Sequence, residues 1–258
     1  MTGAADVQSP TVPPASPAQP APEPQFRSDV TVELVRASAR DADVLFAARV
    51  STRGEASLED VDADATRSAG LLNYLMRDRH GSPFEHNSMT FYVQAPIFVF
   101  REFMRHRIAS YNEESGRYRE LRPVFYVPGP QRRLVQEGKP GQYRFVEGTD
   151  EQRALVESET RAVCGEAYAA YRRMLAAGVA REVARIVLPV TIYSSMYVTL
   201  NARSLMNFLS LRTQHDEARF PSFPQREIEM CAEQMETSWA ALMPLTHAAF
   251  ERNGRVAP

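Results

Sequence analysis

Large apolar residues are almost absent from the first 28 positions and recur steadily from Val30 onward. Their spacing predicts a helix over 41–50 and a second over 63–79 that carries Leu71, Leu72 and Leu75. The period then changes. Over 88–94, Met89, Phe91 and Val93 alternate with Thr90, Tyr92 and Gln94, the period-2 pattern of a half-buried strand. Pro96 opens a helix running through Phe98, Phe103 and Met104 to Arg105. The stretch 123–148 mixes Pro and Gly with short β-type runs at Val124–Val127 and Tyr143–Val146, which predicts extended segments and turns.

A long helix follows, with Thr149 and Gln152 at capping-box spacing, Val156, Thr160, Val163, Ala167, Tyr171 and Met174 at helical period, and Gly178 as its stop. A shorter helix is expected over 180–187. Residues 190–200 alternate again, with Val190, Ile192, Met196, Val198 and Leu200 opposite Thr191, Tyr193, Ser195, Tyr197 and Thr199, and run into a helix at 201–213. One further amphipathic helix fills most of 224–251 through Ile228, Cys231, Met235, Trp239 and Leu242. No internal repeat is visible. These alternations predict an α+β fold, a mixed sheet flanked by helices.

Composition narrows the picture. The chain has 258 residues, 44% hydrophobic and 24% charged, which suits one domain over 29–258. Residues 1–28 hold seven of the 18 prolines and too little apolar surface to offset ordering entropy, so a disordered Pro/Ala-rich tail is expected there. The net charge of −2 argues against a surface built for nucleic acid and points to small anions as partners. Arginine outnumbers lysine 29 to one, so an arginine at any one position says little. Two cysteines without metal or disulfide spacing fit a reducing cytoplasm, and no apolar run approaches bilayer length.

The densest cluster of chemistry is Arg101, Glu102, Arg105, His106, Arg107, Ser110, Asn112, Glu113, Glu114, Ser115, Gly116 and Arg117. At a helix end and the loop beyond, arginine forks, hydroxyls and the free N–H groups of Ser115 and Gly116 are what a phosphate monoester requires. The same residues would equally make a solvated, salt-bridged loop. His80, Glu85 and His86 lack a familiar metal-ligand spacing, so no metal is expected. Neither G-x-G-x-x-G nor a P-loop occurs, so a dinucleotide would have to be held without a Rossmann motif. Cys164 and Cys231 sit among apolar helix neighbours and read as packing residues.

Arg105-His106-Arg107-x-x-Ser110-x-Asn112-x-x-Ser115-x-Arg117 resembles the R-H-R-x-x-S-x-N-x-x-S-x-R signature of the flavin-dependent thymidylate synthases. His80–His86, Arg185–Pro189 and Asn201–Phe208 also look like segments of that family, so the resemblance covers roughly 30–250. It implies a flavin site of His80, Ser82, Arg105, His106, Arg107, Glu113, Asn201, Arg203 and Asn207. For dUMP it implies Glu102, Arg105, Glu113, Ser115, Gly116, Arg117, Arg185 and Arg212. Glu102 departs from relatives that carry Gln there, and is expected to pair with Arg105 or to meet the base. Arg212 is the implied catalytic residue, favouring the ionised uracil.

The reaction implied is reductive methylation of dUMP, with methylenetetrahydrofolate giving the carbon and FAD, reduced by NADPH, giving the hydride, without a cysteine nucleophile. A cytoplasmic homotetramer with active sites shared between subunits is implied as well. Two rival readings make different predictions: a nucleic-acid-binding protein would be colourless, and a flavin-binding paralogue would be yellow without turnover.

Overall fold

The computed structural model describes residues 22–55, 65–139 and 143–258. The start of the expected 63–79 helix and most of the expected tail lie outside these. The tail's last residues are ordered: β1 (Gln25–Arg27) pairs in parallel with β5 (Val124–Tyr126). Three residues of the expected tail thus take part in the fold.

The centre is a four-stranded antiparallel sheet in the order β2 (Thr31–Ser38), β3 (Ser88–Pro96), β8 (Tyr193–Leu200), β4 (Ser110–Glu113). Among the described residues the parallel pairing is confined to β1 and β5. The alternation read from sequence has a direct cause: Met89, Phe91 and Val93 of β3 face the core together with Met196 and Val198 of β8. Strand β2 escaped the sequence reading because its period breaks. Leu34 pairs with Phe91 and Arg36 with Thr90, so Val35 is an extra residue in a bulge and points outward.

Helices cover the sheet. α1 (Asp41–Arg53) and α2 (Ala65–Arg77) precede β3, and α3 (Ile97–Phe103) follows it. β6 (Val135–Glu137) pairs antiparallel with β7 (Arg144–Val146); the β-type runs read from sequence hold β5 and β7, and β6 was not among them. In α4 (Asp150–Ala176) the capping box forms as read, with Gln152 N donating to Thr149 Oγ1 (3.2 Å) and Thr149 N to Gln152 Oε1 (2.9 Å). Gly178 just beyond adopts φ +81, the left-handed conformation glycine tolerates best. The expected 180–187 helix is α5 (Arg181–Ala184) tightened into a 3-10 turn at Arg185–Val187.

α6 (Ala202–Arg212) packs Leu205, Met206, Phe208 and Leu209 into the main core. The single helix expected over 224–251 is two, α7 (Arg226–Leu242) and α8 (Pro244–Arg252). Pro244 disfavours helical backbone at the residue before it, and Met243 sits at φ −131, ψ 60. Trp239 and Phe250 from these helices are fully buried against each other. A second core, with Phe125, Tyr168, Tyr171 and Ile192, lies under α4. Both cysteines are free and buried, and burial raises both thiols, as packing residues would behave. Among the described residues no helix is long and apolar enough to cross a membrane.

Candidate active site

The signature segment is shaped by the end of α3. The helix stops at Phe103, two residues short of the expected Arg105, and its last turn tightens: His106 N bonds to the Phe103 carbonyl at 2.9 Å and Arg105 N to the Glu102 carbonyl at 3.3 Å. Tyr111 then pins the turn, its hydroxyl shared between the carbonyls of Phe103 (2.7 Å) and His106 (2.8 Å). Burial lifts that phenol to about 12, so it stays a donor at neutral pH. The polar residues beyond were expected in a loop. Ser110–Glu113 instead form edge strand β4 on β8, with Asn112 opposite Tyr197 and Glu113 opposite Met196.

Three side chains from two distant parts of the chain meet at the first site. Arg212, the last residue of α6, donates its Nε to His106 Nε2 at 3.0 Å and pairs through Nη1 with Glu102. Of the two roles expected for Glu102, pairing with Arg105 one turn on or meeting the base, the first is not seen; Arg212 holds it instead, its guanidinium reaching back across the end of α3. The His106 ring lies edge-on against Phe208, which stacks on Phe103. Burial, reinforced by the Arg212 charge, lowers His106 to about 4. The imidazole is therefore neutral near pH 7. Because its Nε2 accepts from Arg212, the ring proton is on Nδ1. Two of Arg212's three nitrogens are committed, and Nη2 has no partner among the described residues.

A second group forms at Glu113–Arg117. Gly116 is buried, and a Cβ there would lie 3.2 Å from Arg185 Cδ and 3.1 Å from Leu121. The missing side chain thus lets Arg185, from the 3-10 turn after α5, close onto the loop. Burial raises the Glu113 carboxyl, while the Arg185 charge opposes that rise. Arg117 donates to Glu182 at 2.8 Å and its own N–H points at Ser115 Oγ, 3.3 Å away. Both members of the Arg117–Glu182 pair are about half exposed, so an arriving anion competes with a weak contact. Among the described residues no hydrogen bond or ion pair joins this group to Glu102, His106 and Arg212.

The third group lies at the N-terminus of α6. Asn201 caps the helix, its side chain accepting from Ser204 N at 2.9 Å, while Asn87 accepts from Ala202 N at 2.7 Å. Asn87 was not singled out from sequence; its position two residues past Glu85, where the chain turns into β3, carries no distinctive signal. Arg203 donates its Nε to the Pro258 carbonyl at 2.7 Å and pairs with Glu85. It lies so close over Gly81 that a Cβ would sit 2.6 Å from its guanidinium. Arg203 and Asn207 do share one side of α6, but only Asn207 is open, since Arg203 is engaged. His80 is exposed and stacks on Tyr74, and Ser82 is exposed on its turn.

The donor set suits phosphorylated ligands. Arg101, Arg105 and Arg107 are exposed and have no ion-pair partner among the described residues, whereas Arg117, Arg203 and Arg212 are each paired. Three open guanidinium forks beside a neutral imidazole fit the pyrophosphate and flat ring system of a flavin dinucleotide. A cavity of about 570 Å³ lined by Tyr126, Arg132, Phe145 and Phe223 shares none of these residues.

Known proteins carry the same architecture. The family described as "Thymidylate synthase complementing protein" matches residues 33–245. A flavin-dependent thymidylate synthase of Streptomyces coelicolor is 71% identical over 238 residues, 92% of this chain and 97% of that protein. One from Tropheryma whipplei is 61% identical over 236 residues, 92% and 98% of the two chains. The crystal structure of a UMP/dUMP methylase, PolB of Streptomyces cacaoi, bound with 5-Br dUMP, superposes with a TM-score of 0.87 at 57% identity, covering 91% of this chain and all of that one. An α+β fold that holds flavin without a Rossmann motif, the R-H-R-x-x-S signature and this degree of identity have one meaning: the chain belongs to the flavin-dependent thymidylate synthase family.

Proposed function

We propose that the three groups are parts of one active site, completed when copies of this chain assemble as a homotetramer. The reaction is the family's: reductive methylation of dUMP to dTMP, with methylenetetrahydrofolate as one-carbon donor and NADPH as the source of reducing equivalents. FAD, once reduced, supplies the hydride. The protein binds, orients and polarises. In this reading Arg105, His106 and Arg107 line the flavin with His80, Ser82, Glu113, Asn201, Arg203 and Asn207. Ser115, Gly116, Arg117 and Arg185 take the phosphate of dUMP, and Arg105, Glu102 and Glu113 complete the nucleotide site.

The observation that carries the reading is the fixation of Arg212. Glu102 and His106 hold its guanidinium from two sides and leave Nη2 free, so the cation is oriented before substrate arrives. Turned toward the N3–C4–O4 edge of uracil, it stabilises the negative charge that develops there more than it stabilises the neutral base. Glu102 then does not repel the nucleotide, because its charge is already met by Arg212.

Assembly is supported by apolar surface at the site. Ile108, Tyr118 and Ile186 are 72%, 79% and 75% exposed, each next in sequence to an arginine assigned to ligand, and exposed apolar side chains beside a binding site are candidates for cover by a partner. A cytoplasmic setting accords with the two free thiols, and 29–258 is taken as a single catalytic domain. Subunit mixing tests the sharing of sites. Arg185→Ala and Arg212→Ala proteins, each inactive alone, should regain part of the wild-type rate when co-refolded or co-expressed. No regain, with mixed oligomers present, would place both residues in the same subunit's site.

A further inference from the structure

The segment Arg255–Pro258 touches both ends of α6. At one end Arg255 Nη2 donates to Thr213 Oγ1 at 2.8 Å, and that hydroxyl in turn donates to the Leu209 carbonyl at 2.7 Å, which also accepts the Thr213 backbone N–H at 3.0 Å, so the residue is tied to the last turn twice. Ser222 Oγ donates to the Thr213 carbonyl at 2.6 Å. At the other end the Pro258 carbonyl accepts from Arg203 Nε at 2.7 Å, while Arg79 reaches the Ala257 carbonyl at 3.3 Å. Between these points the segment is largely buried.

Arg255 is itself firmly held. It is 4% exposed, donates to both carboxylate oxygens of Glu236 at 2.7 and 2.8 Å, pairs with Glu251, and lies over the Phe250 ring. His247 bonds the same Glu236 at 3.0 Å. The backbone is left-handed at Gly254 (φ +70) and at Arg255 (φ +56), uncommon for a non-glycine residue, and this turn aims the side chain inward at Thr213. Buried ion pairs of this kind are a poor source of net stability, because desolvation offsets most of the attraction. What this one does provide is a fixed donor at the residue next to Arg212.

We propose that Arg255–Pro258 is a clasp that positions the two functional arginines of α6: Arg255, through Thr213, sets the helix end that presents Arg212, and the Pro258 carbonyl sets Arg203. The inference rests on the roles given to Arg212 and Arg203 above. Arg255 and Thr213 are positioning residues. Neither faces substrate. The helix end would otherwise fray over its last turn, and loss of alignment at a reacting centre costs rate out of proportion to the displacement.

The decisive comparison is Thr213→Val against Thr213→Ser in the full-length, FAD-loaded protein, at a temperature where unfolding curves show both fully folded. Thr213→Val keeps the shape and removes the acceptor, so kcat should fall about tenfold while KM for dUMP and FAD content stay within about twofold. Thr213→Ser keeps the hydroxyl and should hold at least half the wild-type kcat. Arg255→Gln removes the donor to Thr213 together with the pairs to Glu236 and Glu251 and, where it folds, should slow kcat as Thr213→Val does. A folded Thr213→Val protein with wild-type kcat overturns the clasp, as does equal slowing by Thr213→Ser. Arg212→Ala is the control: if it too turns over normally, the role given to Arg212 is what has failed.

Discussion

Replacing Arg212 with alanine separates what this residue does for the fold from what it does for the reaction. The lost contacts are the Nε bond to His106 and the pair with Glu102, whose side chains are 18% (Arg212) and 35% (Glu102) exposed. Solvent screening leaves such a pair worth about 0.5–1 kcal/mol, and the imidazole bond adds about 1 kcal/mol. At roughly 2–4 °C per kcal/mol for a chain of this length, the unfolding midpoint should drop by about 3–8 °C. The protein therefore stays folded at 25 °C. Removing one preorganised donor to a developing anion costs about 10²–10³-fold in kcat, or roughly 3–4 kcal/mol, well beyond the stability effect. The assay is dTMP formation at saturating dUMP and methylenetetrahydrofolate, normalised to bound FAD. His106 gives an independent readout. It is lowered to about 4 by burial first and the Arg212 charge second, so in the variant its NMR titration should move up toward the ordinary 6.5. A flavin-loaded Arg212→Ala enzyme within twofold of the wild-type rate would refute the electrostatic argument, and an unmoved His106 would refute the geometry behind it.

Other perturbations follow from the same contacts. Gly81→Ala places a Cβ 2.6 Å from the Arg203 guanidinium and 2.8 Å from the Pro258 carbonyl, so Arg203 must leave its seat and FAD affinity should fall about tenfold, measured by flavin titration; unchanged affinity would remove Arg203 from the flavin site. For Glu236, burial opposes the charged form, but bonds from His247 and Arg255 outweigh it and hold the carboxyl at about 2. A depressed carboxyl contributes stability that is fully present above its ordinary pKa near 4.5 and lost as pH falls through about 2. Acid unfolding of wild type should therefore steepen over that window, and Glu236→Gln should lose this component along with about 3 kcal/mol at pH 7. Identical acid profiles for the two proteins would contradict the assignment.

The strands at 88–96 and 193–200 were legible because one face is buried and the other is not, which writes period 2 directly into the residues. Thr149 and Gln152 were legible because a capping box is local. β4 was not, since four polar-flanked residues on a sheet edge leave too little pattern. The α7–α8 break did have a signal in Pro244, but the apolar repeat on either side of it reads as continuous. In the candidate site, the motif names segments without revealing the contacts their side chains make. Glu102 and His106 meet Arg212 across more than a hundred residues, and Arg203 finds Pro258 across 55. Such contacts follow from how α6 lies across the end of α3 and beside the last residues of the chain, and no spacing in the sequence encodes them. Asn201 shows the converse. Its side chain is committed to capping α6, a local role that the sequence pattern N-x-x-S already permitted.

An enzyme of this family couples flavin oxidation to methylation of dUMP. That coupling is tested most directly by following the visible absorption of the purified protein through anaerobic reduction with NADPH and then through addition of substrates. The protein should be yellow, be bleached by NADPH, and regain its colour, with dTMP formed in step, only when dUMP and methylenetetrahydrofolate are both present. A protein that binds FAD and dUMP yet stays reduced with both substrates supplied would contradict it.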